Sequence, residues 1–342
     1  MASPRELGFR MPAEWEPQAA TWLSWPSNRK LWPGHYDLIP AKFAEFAAAI
    51  AHFQPVRINV SKALRAEAEA ELRKAKADLS VIQLVEIATD DVWCRDHGPI
   101  FVKQRETGEV AVTDWEFHGW GGKFEASLDN QVPAKIAQHL GLRHFSFPFE
   151  LEGGGIEVSG DGLLLTTEAV QNNPNRAEGR DDAAFLQAIK DGLDVHELLW
   201  IGEGLANDDT DGHIDNLARF VAPRTLLAVS EADTTSPNYA PLQENLQRLR
   251  AMRLQQGGSL EVIELPLPKP IRLAERDLPP SHANFLIVND GVLVPTYHQP
   301  SDDVAMGIIR EVFPKRKVVG IDCRVLLIEG GALHCLSQQQ PA

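Results

Sequence analysis

A strand-turn-strand pattern that returns along most of the chain constrains this sequence more than any other feature. Copies begin at Arg95 (RDHGPIFVKQRETGEVAVTD), Leu151 (LEGGGIEVSGDGLLLTTE), Asp211 (DGHIDNLARFVAPRTLLAVSE) and Ser281 (SHANFLIVNDGVLVPTY), with a shorter one at Glu329 (EGGALHCLS). Each has a polar or glycine-rich lead-in, a short strand, a turn often of the Asp-Gly or Gly-Asp kind, and a Leu/Val-rich second strand. Turn-flanked pairs of this kind read as hairpins. The copies start roughly fifty to seventy residues apart, a period that points to supersecondary units repeated around a centre. A plain α/β sandwich would produce similar local patterns and stays open at this point.

Helical spacing fills most of the gaps. It predicts helices over Leu38 to Phe53, with Pro40 near the start, and over Ala63 to Lys76, Arg180 to Gly192 and Leu242 to Gln256. Another, from Ser301 to Phe313, opens on a Ser-Asp-Asp cap. No Gly/Ser-rich linker interrupts the pattern. The proline-rich stretch Pro266 to His282 reads as a loop at a rim, so residues 1–342 are expected to form a single domain.

The net charge of -15, with no Lys/Arg run, argues against nucleic acid or an anionic membrane as partner and suits a cationic small molecule. No stretch of about 18 apolar residues is present, and MASPRELGFRMPAEWEPQ lacks the apolar centre of a signal peptide. Three cysteines, Cys94, Cys323 and Cys335, without CxxC spacing fit neither a disulfide framework nor a zinc ribbon, and the expected compartment is the reducing cytoplasm. The runs Gly153-Gly154-Gly155, Gly330-Gly331 and Trp120-Gly121-Gly122-Lys123 match no nucleotide-binding pattern.

Chemistry-bearing residues gather at the starts of the repeated units. His213 and Asp215 stand two apart where a strand is expected to begin, which would put imidazole and carboxylate on one face. Asp96 lies beside a His-Gly-Pro turn. A carboxylate there can accept two parallel N–H bonds from a guanidinium, with Trp93 as an apolar or cation–π wall. Cys335 follows a Gly-Gly lead-in on a short strand pattern, ALHCL, and a nucleophilic thiolate there needs a base such as His213. Taken singly, each has an ordinary structural role: a solvated His, a loop salt bridge, a thiol buried as a small hydrophobe. Cys323, in an apolar run, fits that last role well. The run of Asp208, Asp209 and Asp211 lacks the spacing of an EF-hand. Taken together, Asp96, Glu152, His213, Asp215, Asn284 and Cys335 converge on one pocket if the repeats surround an axis. Carboxylates beside Cys and His suit a planar, cationic substrate rich in N–H donors.

MPAEWEPQAATWLSWP, WCRDHGPIFV, FHGWGGKF, LEGGGIEVSGDG, DTDGHIDN, SHANFLIVNDG and GGALHCLSQQQP, in this order over nearly the whole chain, resemble the agmatine deiminase family. That family is part of a guanidine-modifying group that includes bacterial-type peptidylarginine deiminases. The resemblance implies an α/β fold, a five-fold pseudosymmetric propeller of ββαβ-like units with the site on its axis. It implies Cys335 as nucleophile, His213 as general acid/base, and Asp96 and Asp215 as clamps on the guanidinium. Asn284 would bind substrate as the polar residue of the fourth unit, and Glu152 and Trp93 would line the pocket. The implied reaction converts agmatine and water to N-carbamoylputrescine and ammonia, with no metal or organic cofactor. Free or peptidyl arginine is the alternative substrate, a silent guanidinium sensor the alternative class, and a homodimer is left open. Two positions depart from the family pattern: His97 stands where Thr is frequent, and Asp211 where Asn is frequent.

Overall fold

A computed structural model describes residues 2–342. The hairpin expectations translate into sheets. Ile100–Gln104 pairs antiparallel with Val110–Glu116, which runs parallel to Arg143–Glu150. The same order holds for Glu157–Val158, Leu163–Thr167 and Glu197–Ile201. It holds again for Ala218–Ala222, Thr225–Ser230 and Glu261–Pro266, and for Leu286–Val288, Gly291–Thr296 and Lys317–Asp322. The C-terminal strand Ser337–Pro341 pairs antiparallel with Gln18–Ser24, followed by the parallel strands Val56–Val60 and Ile82–Glu86. This last sheet joins the two ends of the chain.

A parallel partner needs a crossover, and helices supply it. Ile39–Ala51, Val132–Leu140, Asp182–Leu193, Tyr239–Ala251 and Pro300–Val312 each stand between two parallel strands of one sheet. Ile39–Ala51 buries Phe43, Phe46, Ala47 and Ile50 on one stripe, with Pro40 in its first turn where no N–H is required. Val132–Leu140 had no counterpart among the predicted helices.

Several boundaries move for local reasons. The helix predicted to reach Gln256 ends at Ala251, because Met252 turns extended (ψ 136°), and beyond it the Gln255 N–H goes to the Glu197 carboxylate at 3.0 Å. Pro300–Val312 starts one residue early. Its N-cap is Gln299, and Asp302 at the third helical position closes a capping box by accepting the Gln299 N–H at 3.0 Å. Arg65–Lys74 is shorter than predicted, and Lys76 in the left-handed region (φ 57°) breaks the continuation. The proline-rich stretch holds a small ribbon, Ile271–Leu273 against Arg276–Leu278.

Two corrections concern the site directly. ALHCL is not a strand: Leu326–Glu329 is a 3-10 turn ended by Gly330 (φ 94°), and the strand begins only at Ser337. The N–H groups of His334 and Cys335 both go to Asn284 Oδ1, at 3.0 and 3.2 Å, instead of to a ladder. His213 and Asp215 are likewise not on a strand. Asp211 and Gly212 have positive φ (68° and 111°), and Ile214–Asn216 forms a single 3-10 turn before the strand begins at Ala218. Among the described residues, no helix is long and apolar enough to cross a membrane.

Candidate active site

The turns that precede Ile100–Gln104, Ala218–Ala222 and Ser337–Pro341 meet at a pocket of about 480 Å³. Cys335, Asp96 and Trp93 form part of its wall, together with Trp120 and Phe124, which the sequence reading did not single out. Asp91, Asp209 and Glu329 complete an acidic lining, and no Lys or Arg is part of it.

Cys335 is buried and held from two sides. Asn284 Nδ2 lies 2.9 Å from its Sγ and 3.0 Å from Asn216 Oδ1, while Asp215 Oδ2 lies 3.6 Å from the sulfur. Burial, then Asp215 and Asp96, push the thiol well above its usual pKa; Asn284 opposes this by hydrogen bonding. Asn284 therefore holds the loop of the thiol and is not itself part of the pocket wall.

His213 sits between two carboxylates. Its Nε2 is 2.6 Å from Glu152 Oε2 and its Nδ1 is 3.6 Å from Asp96 Oδ1. Burial alone would keep this imidazole neutral. Asp96 and Glu152 outweigh it and raise the pKa to about 9. Asp96 accepts the Gly154 N–H at 2.9 Å and the Trp120 indole N–H at 3.0 Å, and burial raises its carboxyl above the ordinary value. Two buried polar atoms have no hydrogen-bond partner here, His213 Nδ1 and Asp215 Oδ1. Unpaired groups of this kind are costly unless a ligand or water completes them.

Behind these side chains lie two ionic chains that sequence spacing did not reveal. Arg176 grips Glu152 with two parallel bonds of 2.9 Å, and a third nitrogen donates to Asp211 at 2.7 Å. Glu152 thus belongs to the support of His213, and of the three residues expected at the substrate only Trp93 reaches the pocket wall. On the other side His334 bridges Asp215 and Glu14, with both contacts at 2.8 Å. Glu14 in turn pairs with Arg219, which also donates to Glu157 at 2.8 Å. The signals available were the His next to Cys335 and the acid in MPAEWEP, but their partners lie more than a hundred residues away.

His97 is buried away from the pocket, with Nε2 2.8 Å from Ser24 Oγ and Nδ1 3.4 Å from Asp129. Asp208, Asp209 and Asp211 do not act as one group. Asp208 accepts from Thr210, Asp209 pairs with Arg276, and Asp211 pairs with Arg176 and Lys123. Arg180 pairs with Asp182. Cys94 and Cys323 are fully buried.

Two glycines are required by close approach. A Cβ on Gly331 would come within 2.2 Å of the Trp93 ring. One on Gly154 would lie 2.5 Å from His213 Nδ1 and 2.7 Å from Asp96 Oδ1. Gly154→Ala is therefore expected to lower kcat about ten- to a hundredfold through displacement of reacting groups. Steady-state kinetics with a parallel thermal melt would separate this from unfolding.

A sequence model described as the Porphyromonas-type peptidyl-arginine deiminase family matches residues 10–341. The chain belongs to this family. It is 38% identical over 365 residues to the agmatine deiminase of Ectopseudomonas mendocina, covering 99% of this chain and 97% of that one. It is 38% identical over 366 residues to the agmatine deiminase of Pseudomonas aeruginosa, covering 100% and 98%. The solved agmatine deiminase of Enterococcus faecalis superposes with a TM-score of 0.93 at 32% identity, over 100% of this chain and 98% of that one. A C. jejuni agmatine deiminase with substrate bound superposes at 0.87, with 29% identity over 97% and 96%.

Proposed function

We propose that this family member hydrolyses agmatine to N-carbamoylputrescine and ammonia. The observation that carries the reading is the lining of the pocket: a thiol and Asp96 share it with Asp91, Glu329 and Asp209, whose charge Arg276 balances from outside, and no Lys or Arg is part of the wall. Arginine would bring a carboxylate into that acidic surrounding, whereas agmatine brings an ammonium. Burial pushes the Asp91 carboxyl up to about 8, with Asp129 adding to the rise. An ammonium beside it favours the ionised form, so binding of the cation is coupled to release of the Asp91 proton and tightens as pH rises through 8.

In this reading the guanidinium lies between Asp96 and Asp215, where the unpaired Asp215 Oδ1 gains a donor. The bound cation favours loss of the Cys335 proton to solvent, and the thiolate then attacks the guanidinium carbon to form a tetrahedral adduct. His213, held protonated by Asp96 and Glu152, gives its proton to the leaving nitrogen, which departs as ammonia. The same imidazole then takes a proton from water, which displaces the sulfur and releases the ureido product. Positioning by the two carboxylates supplies much of the rate.

We also read the five sheets as units of one five-fold pseudosymmetric α/β propeller, and residues 1–342 as one domain. The support is the shared order of hairpin, helix and parallel strand, with each site residue in the turn before a first strand.

The test is a panel of agmatine, free arginine and an arginyl peptide, assayed for ureido product and ammonia. Agmatine is expected to be turned over with the largest kcat/KM. Faster turnover of arginine or the peptide would overturn the substrate assignment. No turnover of any of the three would favour a silent guanidinium-binding protein.

A further inference from the structure

The segment FHGWGGKF enters the pocket by an unusual route. Gly119, Trp120, Gly121 and Gly122 all have positive φ (66°, 56°, 76° and 79°), a full left-handed turn. Glycine adopts this without penalty, but Trp120 pays roughly 1–2 kcal/mol for it. A strained backbone of this kind persists only where its surroundings hold it. Two contacts do so. The Trp120 indole N–H donates to Asp96 Oδ2 at 3.0 Å. Lys123, one residue beyond the turn, reaches across to the Asp209–Asp211 loop. Its Nζ donates to the Asp209 carbonyl oxygen at 2.8 Å and to Asp211 Oδ1 at 2.6 Å.

The far side of that ion pair is not free. The other oxygen of Asp211 accepts from Arg176 at 2.7 Å, Arg176 grips Glu152 with two bonds, and Glu152 meets His213 at 2.6 Å. Asp211 itself has a left-handed φ and lies two residues before His213. A continuous line of alternating charge therefore runs from the Trp120 segment to the imidazole: Lys123, Asp211, Arg176, Glu152, His213.

We propose that Lys123 and Asp211 are positioning residues, a latch that holds the Trp120 segment over the pocket and, through Arg176 and Glu152, fixes the orientation of His213. This rests on the deiminase reading for its kinetic consequence but not for its geometry. An Asn at 211 would keep a hydrogen bond to Lys123 or Arg176 and lose the charge that balances both cations. With Asp present, the two cations share one carboxylate and the Trp120 segment is tied to the support of the imidazole.

The experiment uses the full chain and two readouts. The first is the rate at which iodoacetamide alkylates Cys335, followed by peptide mass; Cys94 and Cys323 serve as buried references. The second is kcat and KM with agmatine. Lys123→Met is expected to raise the alkylation rate and lower kcat, each about fivefold, as loss of one half-exposed ion pair allows. The effect falls on kcat more than on KM, and Lys123→Arg restores both values. Asp211→Asn is expected to lower kcat by about tenfold or more, since both the latch and the Arg176 contact are weakened. The double variant should lose clearly less than the two single losses combined, because Lys123 and Asp211 share one ion pair and only the Lys123 bond to the Asp209 carbonyl oxygen is independent of it.

Wild-type alkylation and kcat in Lys123→Met, or fully additive losses in the double variant, would overturn the latch. Alkylation needs no substrate, so failure of agmatine turnover in the wild type would count against the deiminase reading and leave the latch to be judged on the thiol alone.

Discussion

Cys335→Ser is expected to bring ammonia release from agmatine down to background while the protein melts at the wild-type temperature. The substitution changes one atom in a site that is buried and closely held by Asn284 and Asp215. A hydroxyl fits the space of the thiol and keeps a polar partner for Asn284 Nδ2. What it lacks is an accessible anion. The thiol already starts from a disfavoured position, since burial, Asp215 and Asp96 all oppose the thiolate. A bound guanidinium reverses this, because its positive charge neutralises the same two carboxylates and favours the anion next to it. Serine, with a far more basic oxygen, gains too little from that cation to attack. Agmatine should therefore still bind to Cys335→Ser and raise its melting temperature with concentration. Ammonia release near the wild-type rate would remove Cys335 from the nucleophile role.

The inputs to this prediction were unevenly legible. Cys335, His213, Asp96 and Asp215 each stand in a local motif; Cys335 and Asp96 line the pocket, and Asp215 and His213 adjoin them from behind at 3.6 Å. Their alignment comes from turns and not from strand periodicity. Period-two alternation on a strand does not apply to His213 and Asp215, which lie on a 3-10 turn, or to Cys335, which lies in a loop pinned by Asn284. The hairpins of four units and four of the five crossover helices were legible for the opposite reason: their hydrophobic periods and turn residues are local, whereas Val132–Leu140 escaped and the copy at Glu329 forms no hairpin, its one strand pairing with Gln18–Ser24. Arg176, Glu14, Arg219 and the bridging role of His334 were not legible. Charged residues are ordinary on a surface, and nothing in their local sequence says that they are buried against partners far along the chain. Trp120 was hidden differently. Trp120-Gly121-Gly122 matches no nucleotide-binding pattern, and nothing local says that the chain uses its glycines to carry a tryptophan through the left-handed region to Asp96.

His213→Asn is expected to lower kcat by about 10²- to 10⁴-fold, the range that a positioned acid–base group supplies. Asparagine fills similar space and can still donate to Glu152, so a fall of this size would reflect proton transfer and not collapse of the site. The pH behaviour is the sharper test. Burial alone would drive His213 below its usual pKa, yet Asp96 and Glu152 lift it to about 9 in the free protein. The proton-donating form therefore predominates at neutral pH and is lost as pH rises through 9. A bound guanidinium is a second cation nearby and moves that point down, so the alkaline limb of kcat should lie at or below 9. Glu152→Gln removes one of the two opposing carboxylates and leaves burial with less opposition, so the pKa must fall further. NMR titration of the His213 imidazole, assigned by its absence in His213→Asn, should give an apparent pKa of about 9 in the wild type and a clearly lower one in Glu152→Gln. The alkaline limb of kcat should move in the same direction. If the imidazole titrates at its ordinary value in the wild type, or if Glu152→Gln leaves it unmoved, then the two carboxylates do not hold the proton on His213 and another group must supply the acid.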